Sequence, residues 1–257
     1  LISDPVFYAL AAPAVILLGL AKGGFAGLGV AALPLMALAI SPVQAAAILL
    51  PILMVQDVVS VWAFRRSWDA GVLRIMLPSA ALGIFAGFAL AAFVRSEAVE
   101  LAVGLISIAF GVQRLWLERR NAPVTAEARA GRAVTLRGVV AGIVAGFTSQ
   151  IAHAGGPPFQ IHVLPLRLAR DRFIGTSAIF FAVVNWMKVP AYVALGQFNR
   201  ESLTTAAVLL PLAIASTWAG VFFVKRFPAE GFYRVIYVLL IVAGAKLTWD
   251  GAAGLLG

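Results

Sequence analysis

The second half of this 257-residue chain repeats the first. Lys22-Gly23-Gly24-Phe25 returns as His153-Ala154-Gly155-Gly156, an offset of 131, and the same offset carries Leu33-Pro34-Leu35 onto Leu164-Pro165-Leu166 and Asp57 onto Lys188. Further along, the offset drifts to 133 and pairs Pro78 with Pro211, Gly87 with Gly220 and Trp116 with Trp249. A repeat of half the chain length restricts the fold to two similar units related by a pseudo-two-fold axis. In a membrane protein, such a repeat points to a transporter whose site lies where the two breaks meet.

The solvent for this fold is lipid. Apolar residues make up 62% of the chain and charged residues 12%, with a mean hydropathy of +0.97, whereas a soluble domain carries about 25% charge. Lys22 is the only charged residue from Pro5 to Gln56, and between Arg137 and Arg167 only His153 and His162 can carry charge. Stretches like these read as membrane-embedded helix. There are no cysteines, which excludes disulfides and thiol chemistry. The start is apolar, without a basic leader or small-residue cleavage site, so no cleavable signal is expected.

Hydrophobic segments fall at 5–21, 25–40, 43–64, 71–94 and 97–116, and again at 138–152, 157–168, 173–196, 202–224 and 231–252. The first two segments of each half are short, the second most of all. At 1.5 Å per residue, 25–40 reaches about 24 Å and 157–168 about 18 Å, against a hydrocarbon layer of about 30 Å. Each opening pair is therefore expected to go in and come back, broken at Lys22-Gly23-Gly24 and at His153-Ala154-Gly155-Gly156-Pro157-Pro158. Glycine permits the reversal, and proline suits the first turn of the next helix. The expected fold is all-α: a polytopic bundle of two inverted-topology repeats, each a broken, re-entrant hairpin followed by three transmembrane helices. The repeats cover 1–116 and 138–257, joined by a polar linker, 117–137. Assigning 65–74, 114–137, 167–172 and 225–234 to the cytoplasm gathers 15 of the 20 Lys and Arg there, as the positive-inside rule asks. The linker is then cytoplasmic and both termini face the periplasm. The net charge of +9 follows from this topology and excludes a nucleic-acid reading.

A helix starting deep in the bilayer presents unpaired N–H groups and a positive dipole end, which together suit an anion. Two such starts are expected, near Phe25 and Pro157. The candidate substrate-binding residues are Lys22, Gly23 and Gly24 at the first break, and Thr148, Ser149, Gln150, His153, Gly155 and Gly156 at the second. Each has a plainer reading: Lys22 snorkelling to an interface, His153 a packing histidine, the glycines helix contacts. Gly83, Gly87 and Gly220 are assigned to helix packing. Asp57 and Lys188 are each the only charge in their segment, and a lone charge in a membrane faces a partner or an aqueous path. Two readings stand. They form a structural salt bridge between the halves, or Lys188, with Asn185 beside it, attracts the anion while Asp57, flanked by Gln56, acts as a coupling or gating group. Gln160 and His162 are further candidates, and Arg114 and Lys246 read as interfacial anchors.

At these residues the chain resembles the sulfite exporter TauE/SafE family. The resemblance is carried by Ala21-Lys22-Gly23-Gly24-Phe25, by Gly146-Phe147-Thr148-Ser149 with His153-Ala154-Gly155-Gly156-Pro157-Pro158, and by Gly175-Thr176-Ser177-Ala178-Ile179-Phe180-Phe181 followed by Asn185 and Lys188-Val189-Pro190-Ala191-Tyr192. It implies a bacterial inner-membrane carrier of sulfite, sulfonates such as sulfoacetate or other small organosulfur anions, frequently in export.

No Walker A loop is present, so transport is expected to draw on the membrane potential, protons or the substrate gradient. An anion channel would share the same site. An intramembrane enzyme would need a nucleophile and base from Ser149, His153 and Asp57, but neither Gly-x-Ser-x-Gly nor His-x-x-x-His occurs. No cofactor or metal site is expected. The expected partners are a small sulfur oxyanion, the bilayer and, as a coupling ion, the proton.

Overall fold

The computed structural model describes all residues except 1, 3, 26, 92, 94, 121–131, 167, 225, 227–229 and 257. The chain is an all-α bundle. The first half runs α1 (Pro5–Gly23), a 3-10 turn (Leu28–Ala31), α2 (Ala32–Ala37), α3 (Pro42–Phe64), α4 (Ala70–Ala91) and α5 (Ser96–Arg120). The second runs α6 (Arg132–Ala152), α7 (Gly156–Val163) with a 3-10 extension (Leu164–Leu166), α8 (Arg170–Ala194), α9 (Arg200–Phe223) and α10 (Glu230–Leu256). Among the described residues, six helices are long and apolar enough to cross a membrane: 5–23, 42–64, 70–90, 135–152, 170–194 and 200–223.

Local chemistry sets the starts of these helices. Asp4, Ser41 and Asn199 accept the first free N–H groups of α1, α3 and α9, and Pro5 and Pro42 occupy first-turn positions, where a missing N–H costs nothing. Asp69 caps α4 through Val72 N–H and ties it to α8 by a 3.1 Å ion pair with Arg172. Two boundaries differ from the sequence expectation. The ends of the polar linker are helical: α5 continues to Arg120 and α6 begins at Arg132, while 121–131 lie outside the described residues. Only the second arm of each opening pair is short, because α1 (19 residues) and α6 (21 residues) reach about 28 Å and 31 Å.

Some of the larger helix contacts recur when the halves are exchanged. α1 packs along α9 while α6, its counterpart, packs along α4, and the two third helices, α3 and α8, pack together, as do α5 and α10. Small residues let backbones meet, as is common between helices in lipid. Gly220 rests on Gly19 and Gly23, and its counterpart Gly87 rests on Gln150, the counterpart of Gly19. On either side of each break the chain touches itself: Gly29 lies against Leu18 and Ala21, and Gly138 against His162.

Large apolar side chains such as Phe85, Leu82, Val58 and Trp249 are exposed around the bundle, as expected where lipid is the solvent. At the end where α3 and α9 finish, Trp62 meets Trp218 edge-on, Arg65 covers Trp62 and Arg226 covers Phe222. Such aromatic and basic belts mark a membrane interface.

Candidate functional site

The first break ends α1 by a glycine turn. Gly24 adopts φ +132°, and its N–H donates to Ala21 O while Phe25 N–H donates to Leu20 O (3.2 and 3.0 Å). This is the Schellman arrangement, which glycine enters without a Cβ penalty. The second break ends α6 with a different set of bonds: His153 N–H donates to Ser149 O and Ala154 N–H to Thr148 O, both at 3.2 Å, and His153 lies in the left-handed region, at φ +50°. A residue with a Cβ pays about 1–2 kcal/mol there, so the position favours glycine and yet holds an imidazole. Strain of this kind is retained where the side chain has a task.

That ring bridges two helices. His153 Nε2 lies 3.0 Å from Ala46 O on α3, and Nδ1 lies 2.7 Å from Lys188 Nζ on α8. A carbonyl only accepts and an ammonium only donates, so the proton sits on Nε2 and the Nδ1 lone pair faces Lys188. The ammonium also donates to Ser149 O and Ser149 Oγ, both at 3.3 Å, and Lys188 is fully buried. Its hydrogen-bond acceptors are uncharged.

The counterpart pair at the first break is Lys22 with Asp57. Lys22 Nζ donates to Asp57 Oδ1, and Asn185 Nδ2 donates to Asp57 Oδ2 at 2.6 Å. Ser60 Oγ donates to Lys22 O at 2.9 Å, and the ammonium lies 5.2 Å from the Phe181 ring centre. Each half therefore joins its break residue to its own third helix, Lys22 to Asp57 and His153 to Lys188, while Asn185 links the halves. Asp57 and Lys188, placed opposite one another as one possibility from the sequence, instead take these separate partners. Counted in their ordinary ionised forms, Lys22, Asp57 and Lys188 sum to one positive charge.

Both breaks open on one cavity of about 90 Å³, lined by Lys22 and Gly24 from the first, His153 and Gly156 from the second, and Ser149 and Asn185 between them. Since one buried water needs about 10–15 Å³, the space accepts several waters or a small polyatomic solute. Gln160 and Ser177 add polar groups, and Phe173, Phe181, Leu53 and Val30 form an apolar wall.

Other candidates lie elsewhere. Gln56 Nε2 donates to Val15 O and Ala213 O, tying α3 to α1 and α9 away from the cavity. Gly23 packs on Gly220, and Gly155 against Ala145 O and Phe181. Thr148 Oγ1 donates to Val144 O and Ala154 O, closing the end of α6. Gln150 faces a different cavity. Helix starts also supply fewer donors than expected. Gly24 and Phe25 spend their N–H groups on the end of α1, α2 begins only at Ala32, and Pro157 and Pro158 have no N–H. Side chains therefore supply the charged donors at this site. Sequence reading missed Ser60, Ser177 and Phe181; the last two stand in the Gly175–Phe181 stretch, whose helical period would have placed them with Asn185 on one face.

A comparison with protein families matches residues 11–247 to sulfite exporter TauE/SafE. The chain belongs to the sulfite exporter TauE/SafE family. It is a multi-pass inner-membrane transport protein of this type, a transporter of a small anion and not an enzyme. No curated protein and no solved structure matches the chain.

Proposed function

We propose that this TauE/SafE member is a secondary carrier that exports sulfite or an organosulfonate such as sulfoacetate, by alternating access of two inverted halves around the cavity at Lys22 and His153. The observation that carries it is Lys188: a wholly buried amine held only by neutral acceptors, behind Ser149 and His153, which line the cavity together with Lys22, itself paired with Asp57. An unpaired charge in a membrane bundle is costly and marks a solute path, and here a monoanion would complete the neutralisation. Ser149 and Asn185 would add hydrogen bonds, Gly24 and Gly156 close backbone approach, and the apolar wall would cover an organic substituent. Exchange of α1–α9 packing for α6–α4 packing, and the contact of the chain with itself on either side of each break, support the paired re-entrant hairpins.

The basic end of the bundle, with Arg65, Arg66, Arg170, Arg172 and Arg226, is assigned to the cytoplasm, and both termini to the periplasm. Export of an anion from a negative-inside cell is favoured by about 2.3 kcal/mol per charge per 100 mV, so it can run as uniport. Uptake would need coupling, for which Asp57 and a proton are the candidates. Purified protein in liposomes, assayed for flux of sulfite, sulfoacetate, sulfate and taurine with and without a pH gradient, tests the reading. Saturable flux of the sulfur anions is expected. Unsaturable, channel-like conductance, or flux of none of them, would refute it.

A further inference from the structure

A second cavity of about 210 Å³ lies toward the other end of α8. The first cavity reaches Phe173 and Ile174 near the start of that helix, and the second reaches Tyr192 just before its end, about 28 Å from Phe173 along the axis. The remaining walls agree: Val43 opens α3, Leu90 nears the end of α4, Val99 and Ala102 lie early in α5, and Gln150 nears the end of α6. The two cavities therefore open toward opposite ends of the bundle.

His153 stands between residues of the two. His153 lines the first cavity, and its Nε2–H is bound to Ala46 O, whose residue lines the second. Its ring lies 6.2 Å from that of Tyr192, which also lines the second cavity. The wall of the second cavity is otherwise apolar except for Gln150 and Gln197, and the Oε1 atoms of both are buried without a hydrogen-bond partner. A buried orphan acceptor of this kind costs about 1–3 kcal/mol unless something fills it. Gln150 is 5% exposed, so bulk water is not its partner.

Resting on the carrier reading above, we propose that the solute path continues from the first cavity past the His153 ring into the second. His153, pinned between Ala46 and Lys188, is the closed barrier. The second cavity receives the anion with part of its water shell: shell waters donate to the two bare amide oxygens, and a half-turn of either amide offers Nε2 donors to the anion itself. Release of Ala46 O would free the imidazole to turn with its anion-bearing neighbour Lys188.

The chain has no cysteine, so single cysteines report without background. Ser177→Cys in the first cavity and Val99→Cys in the second are probed with a charged, membrane-impermeant thiosulfonate from either face of sealed vesicles. Each is expected to label from one face only, and the two from opposite faces. Adding His153→Gly, which suits φ +50°, or His153→Asn, which tolerates it, is expected to speed labelling of Val99→Cys from the second face by about tenfold or more. Thiosulfonate modification of Val99→Cys alone is expected to lower anion flux by about the same factor. The proposal is overturned if Val99→Cys is unreachable, labels from the same face as Ser177→Cys, or is fully modified with flux intact. One-sided labelling that survives both His153 variants also overturns it. Sidedness is read without transport: the expected labelling pattern with no flux of any sulfur anion would sink the substrate assignment and uphold the barrier.

Discussion

Lys22 and Asp57 are open to a double-mutant cycle that separates a structural pair from a transport residue. Their side chains are 12% and 3% exposed, and the second carboxylate oxygen of Asp57 is held by Asn185 at 2.6 Å. Lys22→Met leaves a buried carboxylate with one neutral donor, a loss expected to cost about 3–5 kcal/mol. Asp57→Asn leaves the ammonium beside the Phe181 ring and the cavity, where it keeps some water, so the lower end of that range applies. Removing both charges together leaves neither uncompensated, and such replacements are often neutral, so Lys22→Met/Asp57→Asn should cost no more than about 1 kcal/mol. The expected coupling is therefore several kcal/mol, far above the roughly 0.5 kcal/mol within which independent sites add. The assay is unfolding of the purified protein in mixed micelles, paired with flux in liposomes. The double variant should fold like the parent and transport at least about a hundredfold more slowly, equivalent to about 2.7 kcal/mol at the barrier. Additive single costs would refute the buried pair, and parental flux in the double variant would remove Lys22 from the site.

Glycine positions give a graded series. A methyl at Gly146 would lie 2.1 Å from Ala80 O and one at Gly175 1.8 Å from Ser67 O, so Gly146→Ala and Gly175→Ala should each lose about 1–3 kcal/mol in unfolding assays. Gly196→Ala, with open space around it at φ +64°, should lose only about 1 kcal/mol, from backbone strain. Lys188→Met should abolish anion flux while costing about 1–3 kcal/mol of stability, read by the same two measurements, because Ser149 and His153 lose their donor. Cysteines replacing Arg95 and Arg200 should label from one face of intact cells and a cysteine replacing Arg226 from the other; labelling of all three from one side would discard the proposed topology.

Segment existence was legible because each apolar run in the sequence became a helix, and the chain offered no other way to satisfy its backbone in lipid. Helix ends were less so. Residues 132–137 look like linker by composition, yet Arg and Thr are tolerated in a helix whose start can lie outside the hydrocarbon. The charged residues of the site were legible as lone charges, but their partners were not. Offset pairing related Asp57 to Lys188 by symmetry, and symmetry-related residues need not touch. The structure joins each to its own break, since the end of α1 lies beside α3 and the end of α6 beside α8. Adjacent residues on a helix diverge by about 100°, which is why Ser149 reaches Lys188 while Thr148 and Gln150 turn elsewhere. His153 was found through its repeat position, but its left-handed backbone and its bridge to Ala46 depend on contacts 107 positions apart that no local pattern encodes.

Charge arithmetic at the cavity limits what the carrier should hold. Lys22, Lys188 and Asp57 sum to +1, and a monoanion at about 4 Å gains about 4 kcal/mol at an effective dielectric of 20, which by itself corresponds to a Kd near 1 mM. One or two charge-assisted hydrogen bonds, from groups such as Asn185 and Ser149, add about 1.5–3 kcal/mol each before desolvation is subtracted, so affinities from micromolar to millimolar are expected. A dianion would leave one negative charge buried without a partner, reversing part of that gain. Bisulfite and singly charged sulfonates should therefore outcompete the dianion sulfate in both binding and flux, by calorimetry and by competition in liposomes. Sulfoacetate, whose carboxylate makes it a dianion, should be held less well than a singly charged sulfonate. Nanomolar binding would mean a far more complementary cage than six polar groups around about 90 Å³ provide, and sulfate competing as well as a sulfonate would show that the cluster does not carry the single excess charge on which the anion reading stands.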